Sequence, residues 1–483
     1  MIDTQAIKSK ILDLAMRGQL TEQLPEDGTA EELYQQILEE KQKLIKDGKI
    51  KKEKPFSLSP VFEPYPFDIP DNWKFVRFGE LMINRDSERI PVSVADRRKK
   101  KKIYDYYGAS GVIDSIDDYL FDEELLLIGE DGANLLARTR PIAFIAKGKY
   151  WVNNHAHVLD ICCDVDLEYI CYYINSISLQ PYVTGMAQPK MNQENMNAIW
   201  IPLSPVAEQK RIVKKIEQAF SILDTIDELQ AQYADNLTAL KSKLIDAAIQ
   251  GKLTEQLPED GTAEEDLKEI EEKKMEIESS GVLKGRKKKK VLPLLNVNFP
   301  FEIPSSWKWI RLNSVVEIFG RIGFRGYTKN DIVERGQGAI SLSPSNITKS
   351  GKITYENCTF LSWDKYNESP EIMVEKDDVI LVKTGSSYGK CAIVKSLPEK
   401  ATINPQLAIL KYVLCDRNYL HTVLISDMAH KQYEEFVIGA ATPTFSQENL
   451  ANFLLPLPPL AEQKRIVQKL DEILPLCEKQ RNR

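Results

Sequence analysis

The chain has 483 residues, 43% hydrophobic and 28% charged, with a net charge of −7, the makeup of an ordinary globular protein of two to four domains. No apolar run reaches the roughly 18 residues of a membrane span, MIDTQAIKSK has no apolar secretory core, and seven cysteines without zinc-like spacing predict reduced thiols in a cytosol. The negative balance does not favour a nucleic-acid partner, but phosphate binding needs only local basic stripes, and such runs occur as KIKKEK at 49–54, RRKKKK at 97–102 and KGRKKKK at 284–290.

In chain order, a short N-terminal helix is followed by a charged helix over 30–46, opened by a capping box from Thr29 to Glu32. Strand-like runs come next, LLLI at 125–128 and PIAFIA at 141–146, then a helix near 166–177. Residues 206–250 carry apolar side chains at Ile212, Ile216, Ala219, Leu223, Ile226, Leu229, Tyr233, Leu237, Leu240, Leu244 and Ala247. Spacings of three and four predict one long packed helix, about 60 Å at 1.5 Å per residue, stopped at Gly251. A second charged helix is predicted over 263–278, capped by Thr262 and Glu265. The runs VILV (379–382), CAIV (391–394) and LAILKYV (407–413) read as strands, and 417–436 and 460–480 as helices. Pro475 should kink or break the last of these.

The chain contains itself twice. TEQLPEDGTAEE stands at 21–32 and, unchanged, at 254–265; PFDIPDNWKFVRF (66–78) matches PFEIPSSWKWIRL (300–312). QENMNAIWIPLSPVAEQKRIVKKI (193–216) matches QENLANFLLPLPPLAEQKRIVQKL (447–470). Between these blocks, over 80–184 and 314–438, the copies do not align by eye, and the second is about twenty residues longer. Arg483 corresponds to Leu229 and Met1 to Ala234, so the chain ends together amount to a second copy of the central segment. The two ends are therefore expected to meet and complete a second rod.

No catalytic constellation emerges. GSSYGKC (385–391) is one residue short of a phosphate loop and has Cys391 where a magnesium-binding hydroxyl belongs; it reads as a turn between strands. GEDG (129–132) and EKDD (375–378) read as solvated turns, and Cys162 and Cys163, near His155 and His157, read as buried strand residues before they read as a metal site. What remains fits binding. Lysine and arginine neutralise phosphates, and amides and hydroxyls at strand ends reach base edges. The candidates in the first copy are Lys99, Lys100, Lys101, Lys102, Ser110, Asn134, Arg138, Arg140, Asn153, Asn154, Gln188 and Lys190. In the second they are Arg321, Arg325, Tyr327, Lys329, Ser343, Ser345, Asn346, Lys383, Ser386, Ser387, Tyr388, Lys390, Asn404 and Thr444.

The closing blocks, GMAQPKMNQENMNAIWIPLSPVAEQKRIV (185–213) and GAATPTFSQENLANFLLPLPPLAEQKRIV (439–467), with the paired Trp73/Lys74/Arg77 and Trp307/Lys308/Arg311, resemble the specificity subunits of type I restriction-modification enzymes. The resemblance implies an α+β fold, with two mixed α/β target-recognition domains separated by a pair of long antiparallel helices in a pseudo-twofold, circularly arranged repeat. The expected divisions are an N-terminal helix (1–20), a charged helix and linker (21–60), recognition domain 1 (61–205), the central helix (206–253), a charged helix and basic linker (254–294), recognition domain 2 (295–459) and the distal helix (460–483). It further implies a non-catalytic, cytoplasmic chain with no cofactor of its own, reading an asymmetric bipartite duplex. Two modification subunits would carry S-adenosylmethionine, and restriction subunits would use ATP and Mg²⁺. Two other readings remain open: a duplicated coiled-coil scaffold that binds proteins only, and a single-chain endonuclease or methyltransferase.

Overall fold

The computed structural model describes residues 1–51, 65–185, 188–281, 283, 289–295, 297–321, 326–348, 350–439 and 442–481. Arg325, most of the 284–290 basic run and Arg483 lie outside the described residues, so the meeting of the chain ends falls there too. The chain divides into two units, residues 2–230 and residues 231–483 with Met1, and the division falls inside the long central helix.

In the first unit, helix α1 (Thr4–Met16) leads to α2 (Ala30–Lys46), which opens with the expected capping box. Strand β1 (Lys74–Arg77) pairs with β10 (Trp200–Leu203), joining the two ends of the recognition domain. Between them, β2 (Ile83–Asn84), β9 (Ala156–Asp160), β6 (Leu125–Gly129) and β7 (Ala143–Ala146) form an antiparallel sheet in that order. A second sheet runs β4 (Gly111–Ile116), β3 (Tyr104–Gly108), β8 (Lys149–Val152), β5 (Phe121–Asp122), with β3 and β8 parallel. The LLLI run, β6, is one of the two interior strands of the first sheet. Its period-two alternation sends Leu126 and Ile128 into a core shared with helix α3 (Leu167–Ser176) and Leu125 and Leu127 into the core against the second sheet. A strand buried on both faces reads as an unbroken apolar run.

The second unit repeats this. β11 (Lys308–Arg311) pairs with β21 (Leu454–Leu457). One sheet runs β12 (Glu317–Phe319), β20 (Leu407–Lys411), β17 (Val379–Val382), β18 (Cys391–Ile393). The other runs β13 (Ile332–Val333), β15 (Thr359–Ser362), β14 (Gly338–Leu342), β19 (Ala401–Ile403), β16 (Met373–Val374), again with one parallel pair, β14 and β19. The copies that do not align by eye therefore correspond strand for strand, with β13 added. Part of the extra length is residues 343–358, which connect β14 to β15 where only Ala109 and Ser110 connect β3 to β4.

Helix α4 runs unbroken from Val206 to Ile249. Along its first half, α1 lies antiparallel. Ile2 N donates to Gln230 Oε1 (2.6 Å), Thr4 Oγ1 to Asp227 (2.7 Å), and Lys8 pairs with Asp224 (2.5 Å). Ala15 and Met16 share a core with Ile212, Val213 and Ile216. In the second unit, after α5 (Ala263–Ser279), helices α6 (Arg417–Leu424) and α7 (Asp427–Phe436) replace the single predicted helix, because Ser426 caps a new start. Helix α8 (Leu460–Arg481) packs Ile466, Val467 and Leu470 with Leu244, Ala248 and Ile249.

Four further expectations are corrected. Cys162 and Cys163 lie in a bend after β9 and are half-buried, not in a strand. Asp378 of EKDD is buried beside Lys411 (3.1 Å) rather than solvated. Pro475 does not end α8, which continues to Arg481. A proline removes a single N–H from the helix ladder, and buried Leu470 and Cys477 flank it on the packed side. The predicted stripe on α4 holds at Ile212, Ile216, Leu223 and Leu237, but Leu229, Tyr233 and Leu240 are exposed.

Candidate nucleic-acid interface

The repeated AEQKR blocks build the floor of each unit. Glu208 is fully buried, and its carboxylate accepts from Trp73 Nε1 (2.8 Å), Thr21 Oγ1 (2.9 Å) and Gln23 Nε2 (2.6 Å). Glu462 accepts from Trp307 Nε1 (2.8 Å), Thr254 Oγ1 (3.0 Å) and Gln256 Nε2 (2.6 Å). A buried carboxylate is tolerable only when donors replace its lost water, so three separated blocks must recur together. Gln209 and Gln463 accept from the N–H groups of Asp166 and Asp416, fixing the starts of the Leu167–Ser176 and Arg417–Leu424 helices. Arg211 grips Asp27 with two nitrogens, as Arg465 grips Asp260.

Above this floor, three connections of the first unit meet. Glu130 N, just past β6, donates to His155 O in the β8–β9 turn (2.9 Å). Thr184 and Lys190 exchange two backbone hydrogen bonds (2.9 and 2.8 Å), closing a hairpin whose Pro189 carbonyl accepts from Gly132 N (3.0 Å). Met191 N returns to Glu130 O (2.8 Å). The second unit reproduces each link. Lys383 N donates to Gln406 O (2.9 Å), Ile438 and Thr444 exchange bonds (2.9 and 3.1 Å), Gly385 N donates to Pro443 O (2.9 Å), and Phe445 N to Lys383 O (3.2 Å). The hairpins need glycine at one point: Gly185 and Gly439 have φ of +82° and +90°, and a Cβ on Gly185 would stand 2.5 Å from Gln188 O. GEDG (129–132), which reads from sequence as a solvated turn, and KTGS (383–386), which overlaps the GSSYGKC turn, thus occupy the same place.

Beneath the first cluster lies a charged network. His157, 2% exposed, has Nδ1 2.6 Å from Asp86 and Nε2 3.0 Å from Met191 O. Both neighbours accept, so the ring meets both as donor only in its doubly protonated form. Burial opposes that charge, but the Asp86 carboxylate and the Met191 carbonyl outweigh it and raise the pKa. Arg89 bridges Asp86 (3.3 Å) and Glu130 (2.8 Å), and Lys190 reaches Glu130 (3.0 Å). Asp131 pairs with His155 (2.8 Å) at the surface. In the second unit, Thr384 and Thr444 share a hydroxyl contact (2.7 Å), and burial pushes the Lys383 pKa down.

Of the sequence candidates, Asn153, Asn154, Gln188 and Lys190 fall in the first cluster, with Asn134 in the short helix that follows GEDG. Ser110 joins them, since the turn before it passes within 2.4 Å of where a Cβ on Gly129 would stand. Lys383, Ser386, Ser387, Asn404 and Thr444 fall in the second, with Tyr388 stacked edge-on against Phe445. Ser343 and Ser345 share a hydroxyl contact at the start of the 343–358 connection, and Lys390 ends the KTGS loop.

Several candidates serve the fold. Arg138 donates to the carbonyls of Ile174, Asn175 and Ile177, capping α3. Buried Arg321 bonds Ile403 O and Thr402, and its guanidinium lies over Tyr327. Asn346 is buried in its own turn, and Asn153 and Asn404 accept the N–H two residues on, at His155 and Gln406. Asn134 binds Arg140 main chain, while the Arg140 side chain is exposed.

Lys99, Lys100 and Lys102 pair with Asp96, Asp117 and Asp114; with Lys101 they precede β3, at the end of that strand opposite Ser110. Lys329 is exposed before β13. Asp131, His155, Thr384 and Gln406 are not among the sequence candidates; the 254-residue offset of the closing blocks pairs Thr184 with Ile438 and Lys190 with Thr444, but these four stand 253 and 251 residues apart and are matched only by the backbone hydrogen bonds. Among the described residues no group of three or more His, Cys, Asp or Glu side chains is gathered as for a metal, and no helix is long and apolar enough to cross a membrane.

The family profile described as "Type I restriction modification DNA specificity domain" matches residues 70–232 and 304–483, both halves of the repeat. The chain belongs to this family. It is 26% identical to the type I restriction enzyme EcoAI specificity subunit of Escherichia coli, over 98% of this chain and 89% of that one. It is 25% identical to the EcoEI specificity subunit of the same organism, over 99% and 90%. A solved chain, from work on complex assembly and conformational transition of the type I R-M system, shares the fold with a TM-score of 0.56 at 16% identity, covering 86% of this chain and 94% of that one. A specificity subunit of this family recognises DNA and is not the catalyst.

Proposed function

We propose that the chain reads an asymmetric, bipartite double-stranded DNA target, one half-site per unit, and docks two copies of one modification subunit together with restriction subunits. S-adenosylmethionine belongs to the modification subunits, and ATP and Mg²⁺ to the restriction subunits, all in the cytoplasm where the DNA lies. The carrying observation is a loop frame with the same backbone hydrogen bonds in both units and different side chains on it. Equal frames suit two copies of one partner, and unequal side chains suit unlike half-sites. Exposed Ile222 and Leu229 in the first unit's part of α4, and Tyr233 and Leu240 in the second's, offer apolar surface for those partners.

Mapping methylated bases in a host that expresses this chain with its modification subunit tests the reading. Two short unlike sequences with a fixed gap are expected; binding without sequence preference would favour a protein-only scaffold. Helix α4, at 44 residues, rises about 66 Å, close to two turns of duplex at roughly 34 Å each. We propose that it sets the gap. Inserting four residues near 230 is expected to lengthen the preferred gap, and an unchanged gap would contradict the role.

A further inference from the structure

We infer that half-site specificity is written at two matched positions of the loop frame, Asp131 with His155 in the first unit and Thr384 with Gln406 in the second. The inference rests on the bipartite reading above and names the side chains that carry it.

The argument starts from what the frame uses up. The N–H groups of Glu130, Gly132, Lys190 and Met191, and those of Lys383, Gly385, Thr444 and Phe445, are all committed to hydrogen bonds inside the frame. Those groups are unavailable to a base edge, so discrimination falls to side chains. Several sequence candidates are equally committed: Asn153, Asn404, Asn346, Arg138 and Arg321 bond within their own unit.

The matched positions differ in chemistry. Asp131 is acceptor-only, half-exposed, and holds His155 Nδ1 at 2.8 Å, which leaves the second carboxylate oxygen and His155 Nε2 for a ligand. His155 is 51% exposed at its side chain. In the second unit, Thr384 bonds Thr444 (2.7 Å), and exposed Gln406 accepts from Asn404 Nδ2 (3.2 Å) through Oε1. That contact orients the Gln406 amide with its Nε2 toward Gly385, 3.9 Å from where a Cβ would stand. A carboxylate suits the exocyclic amine of cytosine or adenine, and a fixed amide suits the N6 and N7 edge of adenine.

The test exchanges these pairs in the full chain, assembled with its modification subunits. D131T/H155Q and, separately, T384D/Q406H are made, their melting temperatures compared with wild type, and their methylated sequences mapped. The expected result is a change of base preference of roughly 5- to 150-fold at one position, in one half-site for the first variant and in the other half-site for the second. An unchanged target in both variants, or loss of methylation at every sequence by both with unaltered melting, overturns the inference. A wild-type complex without a bipartite target would instead sink the reading on which it rests.

Discussion

In the first unit the loop cluster stands on charge, with Asp86, His157, Arg89, Glu130 and Lys190 linked beneath it. In the second, strand pairing puts Ala408 where His157 stands and Lys383 where Glu130 stands. The backbone hydrogen bonds above are the same. A frame of main-chain bonds and a buried floor can therefore hold one loop geometry while the side chains below and on it change sign. That separation lets a duplicated chain serve unlike purposes from one architecture.

The largest effect should fall where the units are most alike. Glu208→Ala strips the acceptor from exposed Gln23 and from buried Trp73 and Thr21, and each of the two buried donors costs roughly 1–3 kcal/mol when orphaned. A loss of about 3 kcal/mol or more is expected in thermal or denaturant unfolding, with Glu462→Ala matching it in the other unit. Hydrogen exchange resolved by unit checks this, since each variant should open its own floor first. Glu208→Gln, which keeps one acceptor oxygen, should lose less.

A smaller effect should divide the units. The His157 pKa is raised above its ordinary value near 6.5. Its contribution to stability is thus fully present below about pH 6.5 and is lost as pH rises through the folded-state value. Exchange rates of the 184–191 hairpin, corrected for intrinsic pH dependence, should rise across that window while those of 438–445 do not. His157→Ala should abolish the difference, and equal behaviour of both hairpins would show that the buried network does not hold the loop.

The smallest effect should again be symmetric. Arg211→Ala and Arg465→Ala each break a two-pronged pair whose arginine is about one-third exposed, and solvent limits such a pair to about 1 kcal/mol. A difference between the two in melting temperature would expose asymmetry in the floor that the hydrogen bonds do not predict.

Much of this was legible in the residues. The capping boxes at Thr29 and Thr262, the apolar runs of β6 and β17 and the stripe at Ile212 and Ile216 follow from local rules of period and capping. The loop cluster was half legible. Asn154, Gln188, Lys190, Ser386 and Thr444 come to it because they flank strands or the closing block. Arg138 and Arg321 carry a charge that the fold directs to carbonyls and a hydroxyl, and nothing in composition separates a guanidinium facing a groove from one facing a helix end. Tyr233 and Leu240 keep helical spacing but lie beyond the pairing of the N-terminal segment with Asp224, Asp227 and Gln230, and Leu229 is exposed beside that pairing; spacing does not say which face a partner helix covers or where it stops.

The sequence by itself determined the duplication, the long helix and the composition of the floor, because identical blocks and three-to-four spacing are local and survive without knowledge of neighbours. Tertiary structure alone decided that GEDG and KTGS hold equivalent places, that regions without visible similarity share a strand order, and which polar side chains are bonded within the fold. Sheet pairing asks only for apolar alternation, which many sequences satisfy, and the fate of a donor depends on which carbonyl the fold brings within 3 Å of it.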